Sequence, residues 1–86
     1  MTTSWDKNTQ EKFHQLIEKI PVFLRDMARD KVSRKAESIA IKENRSEISE
    51  KDMVDAFFAE TPAGFMPPMK SSMQTLGIDY LKYGHK

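Results

Sequence analysis

The sequence contains no cysteine, and that single absence removes disulfides, thiolate nucleophiles, cysteine-ligated iron–sulfur clusters and zinc knuckles together. Glycine is scarce, three in 86 residues, and no glycine-rich loop ends in Lys-Ser or Lys-Thr, so no P-loop for nucleotide phosphates is encoded. Nothing approaches a run of about eighteen apolar residues, and the opening "MTTSWDKNTQEKF" has no apolar h-region. The expectation is a cytoplasmic protein with neither export nor membrane insertion. An excess of one charge is missing too. Fourteen basic residues against thirteen acidic ones leave a net charge of +1, so no overall field draws in nucleic acid or an anionic membrane. A chain of 86 residues with 38% hydrophobic content can bury one modest core, and is too short to wall in a large active site.

What is present is helical periodicity. Phe13, Leu16, Ile17 and Ile20 recur at i, i+3, i+4 and i+7, which gathers them on one stripe of a helix over roughly Thr9 to Lys19. Pro21 disfavours the helical conformation for Ile20 and suits the first turn of a new helix, so Ile20-Pro21 reads as a corner. Beyond it Leu24, Met27, Ala28, Val32, Ala36, Ile39 and Ala40 continue at helical spacing up to the polar "KENRSE", predicting a long central helix. Phe23 is expected to be buried at the corner, and Leu24, Met27, Ala28, Val32 and Ala36 to point inward. Ser49 reads as an N-cap with Asp52 at the third helical position, and Ile48 and Met53 form a hydrophobic staple. A third helix follows over roughly Glu50 to Ala59, burying Met53, Val54, Ala56 and Phe57 or Phe58. After Glu60 the composition changes. "TPAGFMPPMKSSMQTLG" suggests an extended connector and a short helix from near Pro68 to Gly77. The predicted organisation is all-α: a three-helix domain over residues 1–60 with a long basic central helix, and a Pro/Met-rich extension over residues 61–86 carrying a short fourth helix.

Trp5, the stretch "KIPVFLRDMAR" from Lys19 to Arg29, the pair Glu37 and Ala40, and "EISEKDMVDAF" from Glu47 to Phe57 resemble the small C-terminal domain of the B subunit of light-independent protochlorophyllide reductase. The likeness runs roughly from Trp5 to Phe58. Its most specific element is Ile20-Pro21-x-Phe23-x-Arg25-x-x-x-Arg29, and Ser49 stands where that family has threonine. The resemblance implies association with a larger oxidoreductase whose other parts hold the cluster, the substrate and the ATP-driven electron supply. This chain lacks the cysteines and the P-loop for those tasks, so the implied role is an accessory module without cofactor or activity of its own. Such a module docks on a larger enzyme or covers a tetrapyrrole-like ligand.

The candidate site residues follow from charge and polarisability. The central region carries Arg25, Arg29, Lys31, Arg34, Lys35, Lys42 and Arg45 against Asp26, Asp30, Glu37 and Glu43, a pattern that a solvated face with i,i+4 pairs explains for the most part. Arg25 and Arg29 lie one turn apart beside the apolar stripe, where guanidinium forks could hold a carboxylate. Met66, Met69 and Met73 offer adaptable apolar contacts for docking. Trp5 reads as a lid over the first or third helix, with a stacking platform as the functional alternative. His14 and Glu18 are one turn apart, but two ligands are too few for a metal site. No Ser/His/Asp set or paired carboxylate in an apolar setting is visible, which argues against an autonomous enzyme. A short helix, a long basic helix and "EISEKDMVDAF" also resemble the histone fold, so a dimeric DNA-binding protein is the alternative. It ranks second, because a net charge of +1 gives little counterion-release drive. A protein partner is the first expectation, a tetrapyrrole-like ligand the second and DNA the third.

Overall fold

Asp6 opens the first helix. In the computed structural model, which describes residues 4–85, its carboxylate accepts hydrogen bonds from the Thr9 amide at 3.1 Å and the Thr9 hydroxyl at 2.9 Å. That cap starts α1 at Lys7 and carries it to Glu18, two residues earlier than the apolar spacing predicts. Phe13, Leu16 and Ile17 are buried along its inner stripe, as an amphipathic helix on a core requires.

The corner at Ile20-Pro21 is real. Pro21, at φ −51° and ψ 140°, is the N-cap of α2, which runs from Val22 to Lys42. Phe23 is not buried there; it is 84% exposed, and helical geometry supplies the reason. Phe23 lies nine residues, about two and a half turns, before Val32, which puts it on the opposite side of the helix. Val32, Ala36 and Ala40 are the buried positions. Met27 stands in the same relation to Ala36 and is also exposed, at 52%, while Leu24 and Ala28 are half-buried. The inward face of α2 is therefore narrower than its apolar sequence suggests.

Asn44, at φ 59°, terminates α2. The Arg45 amide reaches back to the Ala40 carbonyl at 2.9 Å and the Asn44 amide to that of Ile41 at 3.0 Å, the paired bonds of a Schellman ending, for which asparagine tolerates the left-handed conformation. This turn delivers Arg45 to α3 (Glu50–Glu60). Its guanidinium donates to both oxygens of Asp52, each at 2.6 Å, and the Asp52 side chain has no solvent exposure. Ser49 and Asp52 form the expected capping box, with the Ser49 amide donating to Asp52 at 2.9 Å. Ile48 and Met53 are fully buried, in keeping with the predicted staple. Phe57 is buried and Phe58 half-buried. The helix runs one residue past its expected end.

Two short strands join the loops. The strand β1 (Ser4–Trp5) pairs in parallel with β2 (Glu47–Ile48), Ser4 opposite Glu47 and Trp5 opposite Ile48. Sequence reading did not predict this ladder; segments of two residues carry no periodicity. It seats Trp5 on Phe13, ring centroids 4.6 Å apart, a contact worth about 0.5–1.5 kcal/mol beyond area burial.

The C-terminal segment forms a 3₁₀ turn over Ala63–Phe65, α4 over Met66–Thr75 and a second 3₁₀ turn over Tyr80–Tyr83. The fourth helix starts slightly earlier than expected. Gly77, at φ 75°, ends it with bonds from the Ile78 amide to Met73 and from the Gly77 amide to Gln74, where the positive φ favours glycine. Met73, Ile78 and Tyr80 belong to the same buried cluster as Phe13, Phe57 and Val32. Residue 60 thus marks a change of composition, while the core continues across it. No helix among the described residues is long and apolar enough to cross a membrane.

Two ionic contacts hold the ends of this arrangement. Burial alone would raise the Asp52 pKa, but hydrogen bonds from Arg45 and the Ser49 amide, with the Arg45 charge, lower it below its usual value. Glu50 follows the same pattern: burial opposes ionisation, and hydrogen bonds from Lys12 and Tyr83 outweigh it. Tyr83 Oη donates to Glu50 at 2.6 Å, and burial, then the carboxylate, raises the Tyr83 pKa.

Phe23→Ala should change stability by less than about 0.5 kcal/mol, as exposed substitutions do. Met73→Ala should cost about 2–5 kcal/mol. Thermal melts followed by circular dichroism compare the two. A large loss at Phe23 would place that ring in the core.

Asp52 and Glu50 ionise more easily folded than unfolded, so their stabilisation is complete above the ordinary carboxylate range. It is lost as pH falls below about 4, towards and through the lowered folded values. Asp52→Asn should remove roughly 2–3 kcal/mol at neutral pH and flatten that acid limb. Denaturant titrations between pH 7 and pH 3 test this, and an unchanged acid limb would contradict it.

Candidate functional site: an apolar groove beside the proline corner

The corner leaves an open concavity. Leu16 and Ile20 from the end of α1, Leu24, Met27 and Ala28 from α2, Phe57 from α3, and Phe65, Pro68 and Met69 from the C-terminal segment line a groove of about 220 Å³. Three prolines shape it. Pro21 turns the chain between the first two helices, Pro62 precedes the 3₁₀ turn, and Pro68 lies in the first turn of α4, where the missing N–H costs no helical bond. Among the described residues, apolar side chains of all four helices face this concavity.

The rim is polar. Lys19, Lys31, Glu60, Thr61 and Ser72 border the groove, and among the described residues neither Lys19 nor Lys31 takes part in an ion pair. Beyond Lys31 the surface continues into a shallow charged depression formed by Asp30, Lys31, Arg34, Lys35 and Glu60. Two of the large exposed apolar side chains, Met27 and Phe65, line the groove, and exposed apolar surface of this kind marks interaction sites.

The residues expected to form a site are dispersed. Arg25 turns back onto α1, its Nε donating to the Ile20 carbonyl at 2.8 Å and its Nη2 to that of Glu18 at 2.6 Å. It caps the helix end, where carbonyls lack partners within the helix. Arg29 pairs with Asp26 at 2.9 Å on the exposed face. The two guanidiniums hold a carbonyl pair and a neighbouring carboxylate, and they form no joint fork for a ligand. Met73 is fully buried, Met66 is half-buried outside the groove lining, and Met69 alone of the three lines it. Trp5 stacks on Phe13, which in turn contacts Phe57 at 5.9 Å between centroids. It lies over α1, as a lid would, with two aromatic layers between it and the groove. Ile20 and Pro21 do reach the site, as lining. Ser49 and Asp52 serve the α3 cap.

Sequence reasoning missed Lys19, Lys31 and Phe65. Lysine beside a proline corner was a weak signal, and Phe65 sits in a segment with no periodicity. It also missed Arg45, whose spacing of seven from Asp52 spans a turn rather than a helix face. His85 was likewise unforeseen: it stacks on Phe58 at 4.1 Å and contacts Asp55 at 2.5 Å. Among the described residues no three His, Asp or Glu side chains come together as a metal site.

The chain belongs to the DUF2621 family. The model of that family, described as a protein of unknown function, matches residues 1–86. No curated protein and no solved structure matches the chain. For this DUF2621 chain the groove is thus read from its geometry.

If Arg25 is a structural cap and the rim lysines are not, stability should separate them. Arg25→Ala should cost about 1–2 kcal/mol by freeing two carbonyls at the end of α1, whereas Lys19→Gln and Lys31→Gln should stay within about 0.5 kcal/mol. Chemical denaturation of the three variants provides the comparison, and equal losses would contradict the assignment.

Proposed function

We propose that this chain is a non-catalytic interaction module whose apolar groove lies against a larger protein and covers a flat, anionic, apolar ligand held there. The carrying observation is an open apolar concavity with two uncommitted lysines on its rim. At about 220 Å³ the groove is below the roughly 300–1,000 Å³ of pockets that enclose a drug-sized ligand. It suits covering one face of a ring system rather than swallowing it. The resemblance to the reductase domain supplies the ligand class, a tetrapyrrole with carboxylate substituents, and the lysines supply the counter-charge in place of the arginines. The chemistry belongs to the partner in this reading, since no acid–base or nucleophilic set converges on the groove among the described residues, and the module's setting is cytoplasmic.

DNA binding by a histone-like pair ranks behind this reading. The short–long–short helix order suits it, but Arg25, Arg29, Arg34 and Arg45 are each engaged with carbonyl or carboxylate oxygens of the same chain. With a net charge of +1, the overall drive from counterion release is small.

Titration of protoporphyrin or protochlorophyllide, followed by absorbance, should give saturable binding to the native chain. Ala28→Phe, which fills the groove floor, should abolish it. Replacing Lys19 and Lys31 together with glutamine should weaken it about tenfold, the loss of roughly one charge-assisted contact. Arg29→Lys should leave it unchanged. Equal affinity in the native chain and Ala28→Phe would sink the groove as the site, and no saturable binding would sink the ligand class.

A further inference from the structure

The methionines divide sharply by access to solvent. Met53 and Met73 lie in the core with no exposure. Met66 is half-buried and outside the groove lining, and Met69 is half-buried within it. Met27 is 52% exposed and lines the groove from α2. Among the described residues it is the one methionine that presents an exposed thioether, and it does so at the candidate site.

Thioether oxidation follows that access, and the chain has no cysteine, so no thiolate competes for the oxidant. With hydrogen peroxide, the Met27 sulfur attacks one peroxide oxygen. The S–O bond forms as the O–O bond breaks, and the departing hydroxide takes the proton of the transferred oxygen and leaves as water. Sulfur gives up two electrons, peroxide is reduced, and the product is methionine sulfoxide. A polar acceptor then stands where the wall was apolar. Its neighbours along that wall, Leu24 and Ala28, are apolar, so a ligand covering the groove strips water from the new oxygen without replacing its hydrogen bond. If instead Lys31, one turn further along α2, donates to the oxygen, that cation is lost to an anionic ligand. Both outcomes oppose binding. The core is spared, because α2 faces inward through Val32, Ala36 and Ala40.

From the exposed thioether on the groove wall we infer that Met27 is an oxidation site through which hydroperoxides switch off binding in the groove. The inference rests on the groove being a binding surface, and adds its control. The switch is reversible, since methionine sulfoxide is returned to the thioether by sulfoxide reductases.

Graded treatment of the full chain with hydrogen peroxide, followed by quenching, digestion and peptide mapping by mass spectrometry, tests the site. Among the described methionines, Met27 should take up oxygen first. The fluorophore anilinonaphthalene sulfonate then probes the groove, its site identified by loss of binding in Ala28→Phe. Oxidation at Met27 should raise its dissociation constant about fivefold to tenfold, the loss of roughly one hydrogen bond, with an unchanged circular dichroism melt. Methionine sulfoxide reductase should restore the affinity. Met27→Gln should show the weakening without oxidant, and Met27→Leu, whatever its own affinity, should lose no more on peroxide treatment. Earlier oxidation of Met53, Met66, Met69 or Met73 overturns the inference. So does an unchanged affinity after oxidation at Met27, or a Met27→Leu chain as peroxide-sensitive as the native one. A chain that binds neither the fluorophore nor porphyrin before oxidation overturns the groove reading and the switch together. Fluorophore binding that responds to Met27 oxidation, in a chain that takes up no porphyrin, supports the switch and removes only the ligand class.

Discussion

The Arg45–Asp52 pair is the contact on which the remaining structure depends. A carboxylate without solvent exposure at the start of a helix is costly unless its oxygens are satisfied. Here Arg45 meets both, and the Ser49 amide supplies a further donor. Because Arg45 leaves the Schellman ending of α2 and Asp52 lies in the first turn of α3, the pair fixes the reversal between the two helices. That reversal lays α3 on α2 and presents Ile48 as the strand to which Trp5 is added. A purely apolar turn could bury as much area, but it would not specify which residue faces which.

The core built on this reversal is shared by segments of different composition. Phe13, Phe57, Val32, Met73 and Ile78 form one cluster, and the C-terminal turn is tied back through Tyr83 to Glu50 and through His85 to Asp55 and Phe58. The groove is the remainder of that packing. It lies where α1 gives way to α2 at Pro21, with Pro68 and Met69 of α4 on its far side. Leu24 and Met27 are left on its walls, with lysines above them.

The opposite fates of the cations illustrate how context assigns roles. Arg25 and Arg29 look like a pair on the helix face, yet one satisfies helix-end carbonyls and the other a neighbouring aspartate. Lys19 and Lys31 look like solubilising charges, and they are the ones at the groove. Local hydrogen-bond demand takes the long forked side chains first, and what remains on the surface is what can meet a partner.

By itself the sequence determined the all-α class, the corner at Ile20-Pro21, the inner stripe of α1 and the capping box of α3. Each depends on interactions within four or five residues, which spacing and capping chemistry report directly. The exposure of Phe23 and Met27 was also legible in principle, since each stands two and a half turns from a buried alanine or valine. A string of apolar residues at mixed intervals of three and four hid which ridge faces inward. Only the tertiary structure decided the strand pairing of Trp5, the Arg45–Asp52 clamp, the seating of Met73 in the core and the groove itself. Those features join residues distant in the chain or facing one another across a turn, where side-chain direction and competition for hydrogen bonds, rather than local propensity, settle the outcome.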